Sequence, residues 1–221
     1  MDFFKFIQSL DELIYEAVSL LLFYPLTLWR TITGPLRTME QAGHELAQTD
    51  RKQYSRLVPP PLFLLLTLIV IHSVELGTVG ESKLVLEDRG FNALIDDDTS
   101  LIIFRIVMFS ILPLAGAVRL ARARGQPLDK ELLKPSFYGQ CYVASIFALF
   151  ISFGSILIQR YVDQTGAFAA FILAGISWLL IVEARWFASE LKVGLMKGFG
   201  QAFLMLVQWV IVLLLAALVL S

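Results

Sequence analysis

Residues 201–220 read QAFLMLVQWVIVLLLAALVL, a run without one charged side chain. The hydrocarbon core of a bilayer is about 30 Å thick and an α-helix rises about 1.5 Å per residue, so a spanning helix needs about 20 apolar residues. Lipid offers no partner to backbone N–H and C=O groups, which makes the helix the natural form for such a run. Back toward the N-terminus, four more stretches meet the same test: 166–187, 137–158, 100–118 (SLIIFRIVMFSILPLAGAV) and 61–79 (PLFLLLTLIVIHSVELGTV). The expected fold is therefore all-α: a polytopic transmembrane helical bundle, with five spans over residues 61–221 plus an N-terminal amphipathic or re-entrant helix.

Composition agrees. The chain is 57% hydrophobic and 17% charged, against about 25% charged in soluble domains. Mean hydropathy is +0.72. A formal net charge of −1 supplies no global basic field for nucleic acid. The one cysteine, Cys141, excludes an intrachain disulfide and any multi-cysteine metal site. The opening MDFFKFIQSLDE lacks a basic n-region and a small-residue cleavage site, so it does not read as a secretory signal.

Residues 1–33 form the first segment. Lys5, Gln8, Asp11 or Glu12, Glu16 and Ser19 recur in steps of three or four, on one helical face. From Ala17 to Trp29 the chain is uncharged, but that run reaches only about 20 Å as a helix, and Pro25 interrupts it. Trp29 followed by Arg30 resembles a membrane-surface anchor. The expectation is a helix in the interface, with a sixth span as the competing reading. Residues 34–60 follow as a surface helix and linker. Gly34-Pro35 breaks the chain, Leu36, Met39, Ala42 and Leu46 recur at helical spacing, and Pro59-Pro60-Pro61 stiffens the approach to the first span.

Thirteen Lys and Arg residues lie in segments 30–60, 119–135 and 184–199, against three (Lys83, Arg89 and Arg160) in the connections on the other side. The positive-inside rule places residues 34–60 in the cytoplasm and the C-terminus outside the cell. Together with the absence of disulfides, this fits a cell membrane, and a bacterial inner membrane in particular.

Ionisable side chains inside spans are costly and mark candidate sites. Glu75 sits about four residues below the outer end of the first span, and Arg105 about five below the same end of the second. Both lie roughly 6–8 Å deep, which makes them a candidate pair. His72, one turn from Glu75, extends the candidate path. Glu183 and Arg185 read as markers of the cytoplasmic end of the fourth span. Gln140 in the third span can hydrogen-bond across helices, beside small residues that favour close packing. Pro113 is a candidate kink in the second span, with Gly116 softening the turn.

Enzymatic signatures do not emerge. His44-Glu45-Leu46-Ala47-Gln48 starts like a zinc-protease helix but has glutamine where the second histidine is needed. Asp96-Asp97-Asp98 reads as a solvated acidic loop rather than a calcium site. No catalytic residue, metal site or cofactor is expected.

The stretches KPSFYGQCYVASIFALFISFGSIL (134–157) and ISWLLIVEARWFASELKVGLMKGFGQAFLMLVQWVIVLLL (176–215) resemble the third span and last hairpin of the Yip family, proteins that interact with Ypt/Rab GTPases, and its bacterial Yip-like members above all. The resemblance covers roughly residues 55–221. The aspartate–leucine–tyrosine–glycine–proline motif of eukaryotic members has no clean copy here. The resemblance implies a small integral protein linked to membrane organisation or trafficking. The expected function is thus non-enzymatic association with the lipid bilayer, other membrane proteins or a homo-oligomer. The alternative is a small oligomeric permease or channel for an ion or small solute.

Overall fold

The computed structural model describes residues 2–46, 54, 57–80 and 98–220, with the side chains of the first helix described at Tyr15 and from Val18 onward. The acidic run Asp96–Asp98, the polar face from Lys5 to Glu16, and Arg51, Lys52, Arg56, Lys83 and Arg89 fall outside the described residues or side chains. Among the described residues there are seven α-helices and no strand: α1 (Asp2–Thr33), α2 (Pro35–Leu46), α3 (Pro60–Thr78), α4 (Asp98–Ala123), α5 (Lys130–Arg160), α6 (Thr165–Leu191) and α7 (Leu195–Leu220). The last five are long and apolar enough to cross a membrane. Helices α4, α5, α6 and α7 outrun the expected spans because their more polar end turns continue the helix beyond the apolar run.

The turns follow from local chemistry. Gly125, at a φ of 67°, ends α4, and Gln126 N–H closes back on Ala121 O at 2.9 Å. A left-handed residue that returns the chain onto the last helical carbonyls favours glycine, and Pro127 beyond it cannot continue the helix. Asp129 then caps α5, its carboxylate accepting from Glu131 N–H at 2.9 Å. Between α6 and α7 the left-handed position is held by Lys192, at a φ of 53°.

Helix α5 is the centre. It packs against α1, α2, α3, α4 and α6, and every residue from Gly139 to Ala148 is buried. A helix buried on all sides needs apolar or small residues all round, as this segment has. Against α6 the contact is reciprocal: a Cβ on Gly154 would lie 2.3 Å from Ile172, and one on Gly175 would lie 2.3 Å from Phe150. Each glycine receives a large side chain of the other helix, the close approach expected of spans that pack through small residues.

Helix α2 lays Thr38, Met39, Ala42 and Glu45 on the end of the bundle. Met39 O sits 3.1 Å from where a Cβ of Gly139 would be. The buried stripe keeps Met39 and Ala42 from the expected face. It takes Glu45 in place of Leu46, because Glu45 is held by Tyr54 N–H at 2.8 Å and by the Gln41 amide at 3.3 Å. Burial raises the Tyr54 phenol above its usual range. His44 points outward, as a polar helix face requires.

Helix α1 departs from expectation at Pro25, which does not interrupt it. Its last turns lie along the start of α3. Thr27 accepts a hydrogen bond from Val58 N–H at 3.0 Å. Tyr24 stacks on Phe63, with ring centroids 5.2 Å apart, and donates to Thr67 at 3.1 Å. These contacts support a helix that continues past the proline. On its other side Tyr15, Val18, Leu21, Leu22 and Trp29 are exposed, an apolar face suited to lipid rather than water. Tyr142 of α5 ties the junction by donating to Val58 O at 2.7 Å. Tyr142→Phe strands that buried carbonyl and is expected to cost about 1–3 kcal/mol, read as a lower unfolding midpoint in detergent; an unchanged midpoint would show that Val58 O finds another donor.

Candidate functional site

Two polar layers lie inside the bundle. In the one toward the end of the bundle away from α2, Glu75 of α3 and Arg105 of α4 form an ion pair with side chains 6% and 14% exposed, so the two residues that depth arithmetic paired are in contact. The pair borders a cavity of about 420 Å³ that also meets Ser152, Ser155 and Gln159 of α5 and Trp209 of α7. Ser155 donates to Ile151 O at 2.9 Å, so its hydroxyl is already engaged within α5. Arg105 Nη1 is buried without an acceptor among the described residues. His72 is buried one turn from Glu75 but does not line this cavity.

The second layer, nearer α2, is Gln140 of α5 and Glu183 of α6. The Gln140 amide donates to Glu183 Oε2 at 2.8 Å, with exposures of 2% and 0%. Gly116 of α4 makes room for it: a Cβ there would lie 2.7 Å from Gln140 Cδ. Space for an amide, more than helix softening, is what that glycine provides. Glu183 lies well inside α6, which continues to Leu191. It points into the core, whereas Arg185, two residues and about 200° further round the helix, is exposed. Gln140→Leu leaves a carboxyl buried with no donor and is expected to destabilise by about 1–3 kcal/mol. Adding Glu183→Leu should recover part of that loss in a thermal unfolding assay.

Between the layers the bundle is filled. From Arg105 to Gly116 along α4 is about 16 Å, and Phe109 and Leu112 on that stretch are at most 9% exposed. Val143, Ala144 and Phe147 of α5 and Met205 and Trp209 of α7 close the same level. The Trp209 ring packs on Phe147 at 5.5 Å and on Phe109 at 6.0 Å, while its N–H donates to Met108 O at 2.9 Å. The cavity beside Glu75 and Arg105 therefore ends on an aromatic and aliphatic plug.

Sequence reading missed the ties at the basic end. Arg119 reaches Gln201 through Nε at 3.1 Å and Nη2 at 2.8 Å, and Arg124 pairs with Glu190. These join helix ends distant in sequence, and nothing local announces them. Trp29 is 66% exposed, as an anchor would be, and Arg30 is half-buried. Among the described residues no three His, Cys, Asp or Glu side chains gather closely enough to hold a metal ion. No family model, curated protein or solved structure matches the chain; what the molecule establishes of itself is an integral membrane protein of five apolar spanning-length helices.

Proposed function

We propose that this protein is non-enzymatic and works by association, as a subunit or organiser of a membrane complex, in the manner that its resemblance to Yip-like proteins implies. The observation that carries this reading is the plug of Phe109, Leu112, Val143, Phe147 and Trp209 between the two polar layers. A polar solute crossing one chain would have to leave the Glu75–Arg105 layer and pass about 16 Å of packed hydrocarbon. The polar groups are then better understood as locks between helices. The ion pair joins α3 to α4, and the Gln140–Glu183 bond joins α5 to α6. With Lys and Arg gathered at the α2 end, that end belongs in the cytoplasm and faces anionic inner-leaflet lipid, as in a bacterial inner membrane.

The test is to extract the full chain from its native membrane in polymer-bounded lipid discs and count chains per disc. Association predicts a fixed stoichiometry, with a second copy or a second membrane polypeptide. Discs holding one chain alone would overturn it. A permease is the second reading, and the 420 Å³ cavity beside Glu75 and Arg105 favours it. It predicts solute or proton flux in proteoliposomes that Glu75→Gln abolishes while the protein stays folded.

A further inference from the structure

A groove of about 600 Å³ runs along the flank of α4 and α5, apolar over most of its length and cationic at one end. Ile106, Val107 and Leu114 of α4 line one stretch and Phe137 of α5 the next, with Lys130 and Lys134 beyond them. Residues 130, 134 and 137 fall on one helical face, so the lysines and the aromatic ring of α5 share the groove. Both helices and the turn between them lie wholly within the described residues from 99 onward. Val107 and Leu114 are 49% and 47% exposed within a helix of spanning length, so the groove opens to lipid rather than into the bundle.

The register of the antiparallel pair gives the groove a direction. Gly116 of α4 sits level with Gln140 of α5, since an added Cβ there would lie 2.7 Å from Gln140 Cδ. From that level Ile106 lies about 15 Å toward the Arg105 end, and Lys134 about 9 Å toward the other, at 1.5 Å per helical residue. The lysine end is the α2 end, where a Cβ on Gly43 would lie 3.9 Å from Pro135. The groove is thus about 24 Å long. A lipid covers about the same distance from headgroup to midplane, half of a bilayer about 40–45 Å thick. Lys130 is exposed and Lys134 half-buried, the arrangement of stems laid along apolar surface with ammonium groups at the headgroups. Of the acids beside them in sequence, Asp129 turns its carboxylate to the Glu131 and Leu132 N–H groups, and Glu131 is outside the lining. Cationic side chains at that level favour anionic over zwitterionic lipid.

We propose that this groove holds one anionic phospholipid, with its phosphate at Lys130 and Lys134 and an acyl chain along α4 toward Ile106. The site stands independently of the association reading. The full-length protein in mild detergent is titrated with phosphatidylglycerol and with phosphatidylcholine, and bound lipid is counted by native mass spectrometry. Lys130→Gln/Lys134→Gln removes the charges, Ser110→Phe fills the groove, and Lys192→Gln/Lys197→Gln removes two lysines from the same end outside it. Thermal midpoints check that each variant folds.

The parent should hold phosphatidylglycerol about tenfold or more tightly than phosphatidylcholine. Lys130→Gln/Lys134→Gln should lose that preference, Ser110→Phe should weaken retention of both lipids, and Lys192→Gln/Lys197→Gln should match the parent. No preference in the parent, or the same preference in the folded Lys130→Gln/Lys134→Gln variant, would overturn the site. So would unchanged lipid retention in Ser110→Phe; if that variant also holds fewer chains per lipid disc, a partner helix fills the groove instead.

Discussion

Arg105→Met is expected to destabilise the folded protein by about 3–5 kcal/mol, the cost of leaving a buried partner charge uncompensated. Glu75 is 4% exposed and its carboxylate has Arg105 as its ion-pair partner. With the guanidinium gone, the carboxylate must either stay charged in a low-dielectric setting or take up a proton. Glu75→Gln strands Arg105 instead, and the loss should be somewhat smaller, since a long arginine can reach toward the headgroups. The double variant Glu75→Gln/Arg105→Met removes both charges and should recover most of what either single change loses, because replacing a whole buried pair is often near neutral. Unfolding midpoints in one detergent across the four proteins give the coupling directly. Simple additivity of the two losses would mean that the pair is not what holds α3 to α4.

Gly198→Ala is the second large effect, at about 1–3 kcal/mol lost to overpacking. A Cβ at this position would lie 2.2 Å from Ala184 O and 2.9 Å from Ala188 N. Both are backbone atoms, so relief requires moving α7 away from α6 rather than turning a side chain. Gly200, two residues on, is the internal control: nothing lies within 4 Å of its added Cβ, and Gly200→Ala should be neutral or gain up to about 1 kcal/mol of helix propensity. The same thermal assay checks both. Equal behaviour of the two variants would show that the α6–α7 approach is looser than described.

The spans were legible because lipid imposes length and leaves backbone groups no alternative to helix. The Glu75–Arg105 pair was legible because depth along two antiparallel spans fixes which residues share a level. Rotation was not legible. In a segment as uniformly apolar as 137–158, periodicity does not say which face meets which neighbour, so Gln140 could be named as polar but not joined to Glu183. Pro25 misled for a related reason: its disruption of the helix is offset by contacts to Phe63, Thr67 and Val58, which lie more than thirty residues away.

The central place of α5 has a consequence for how the protein is made. Ribosomes deliver helices in chain order, and α1 to α4 precede the helix against which they all pack. Until residues 139–148 emerge, the early hairpin must wait in the membrane with its inward faces bare to lipid or to the insertion machinery. The Glu75–Arg105 bridge lies wholly within that early hairpin, so it can form before the keystone arrives and keep two half-finished rods from drifting apart.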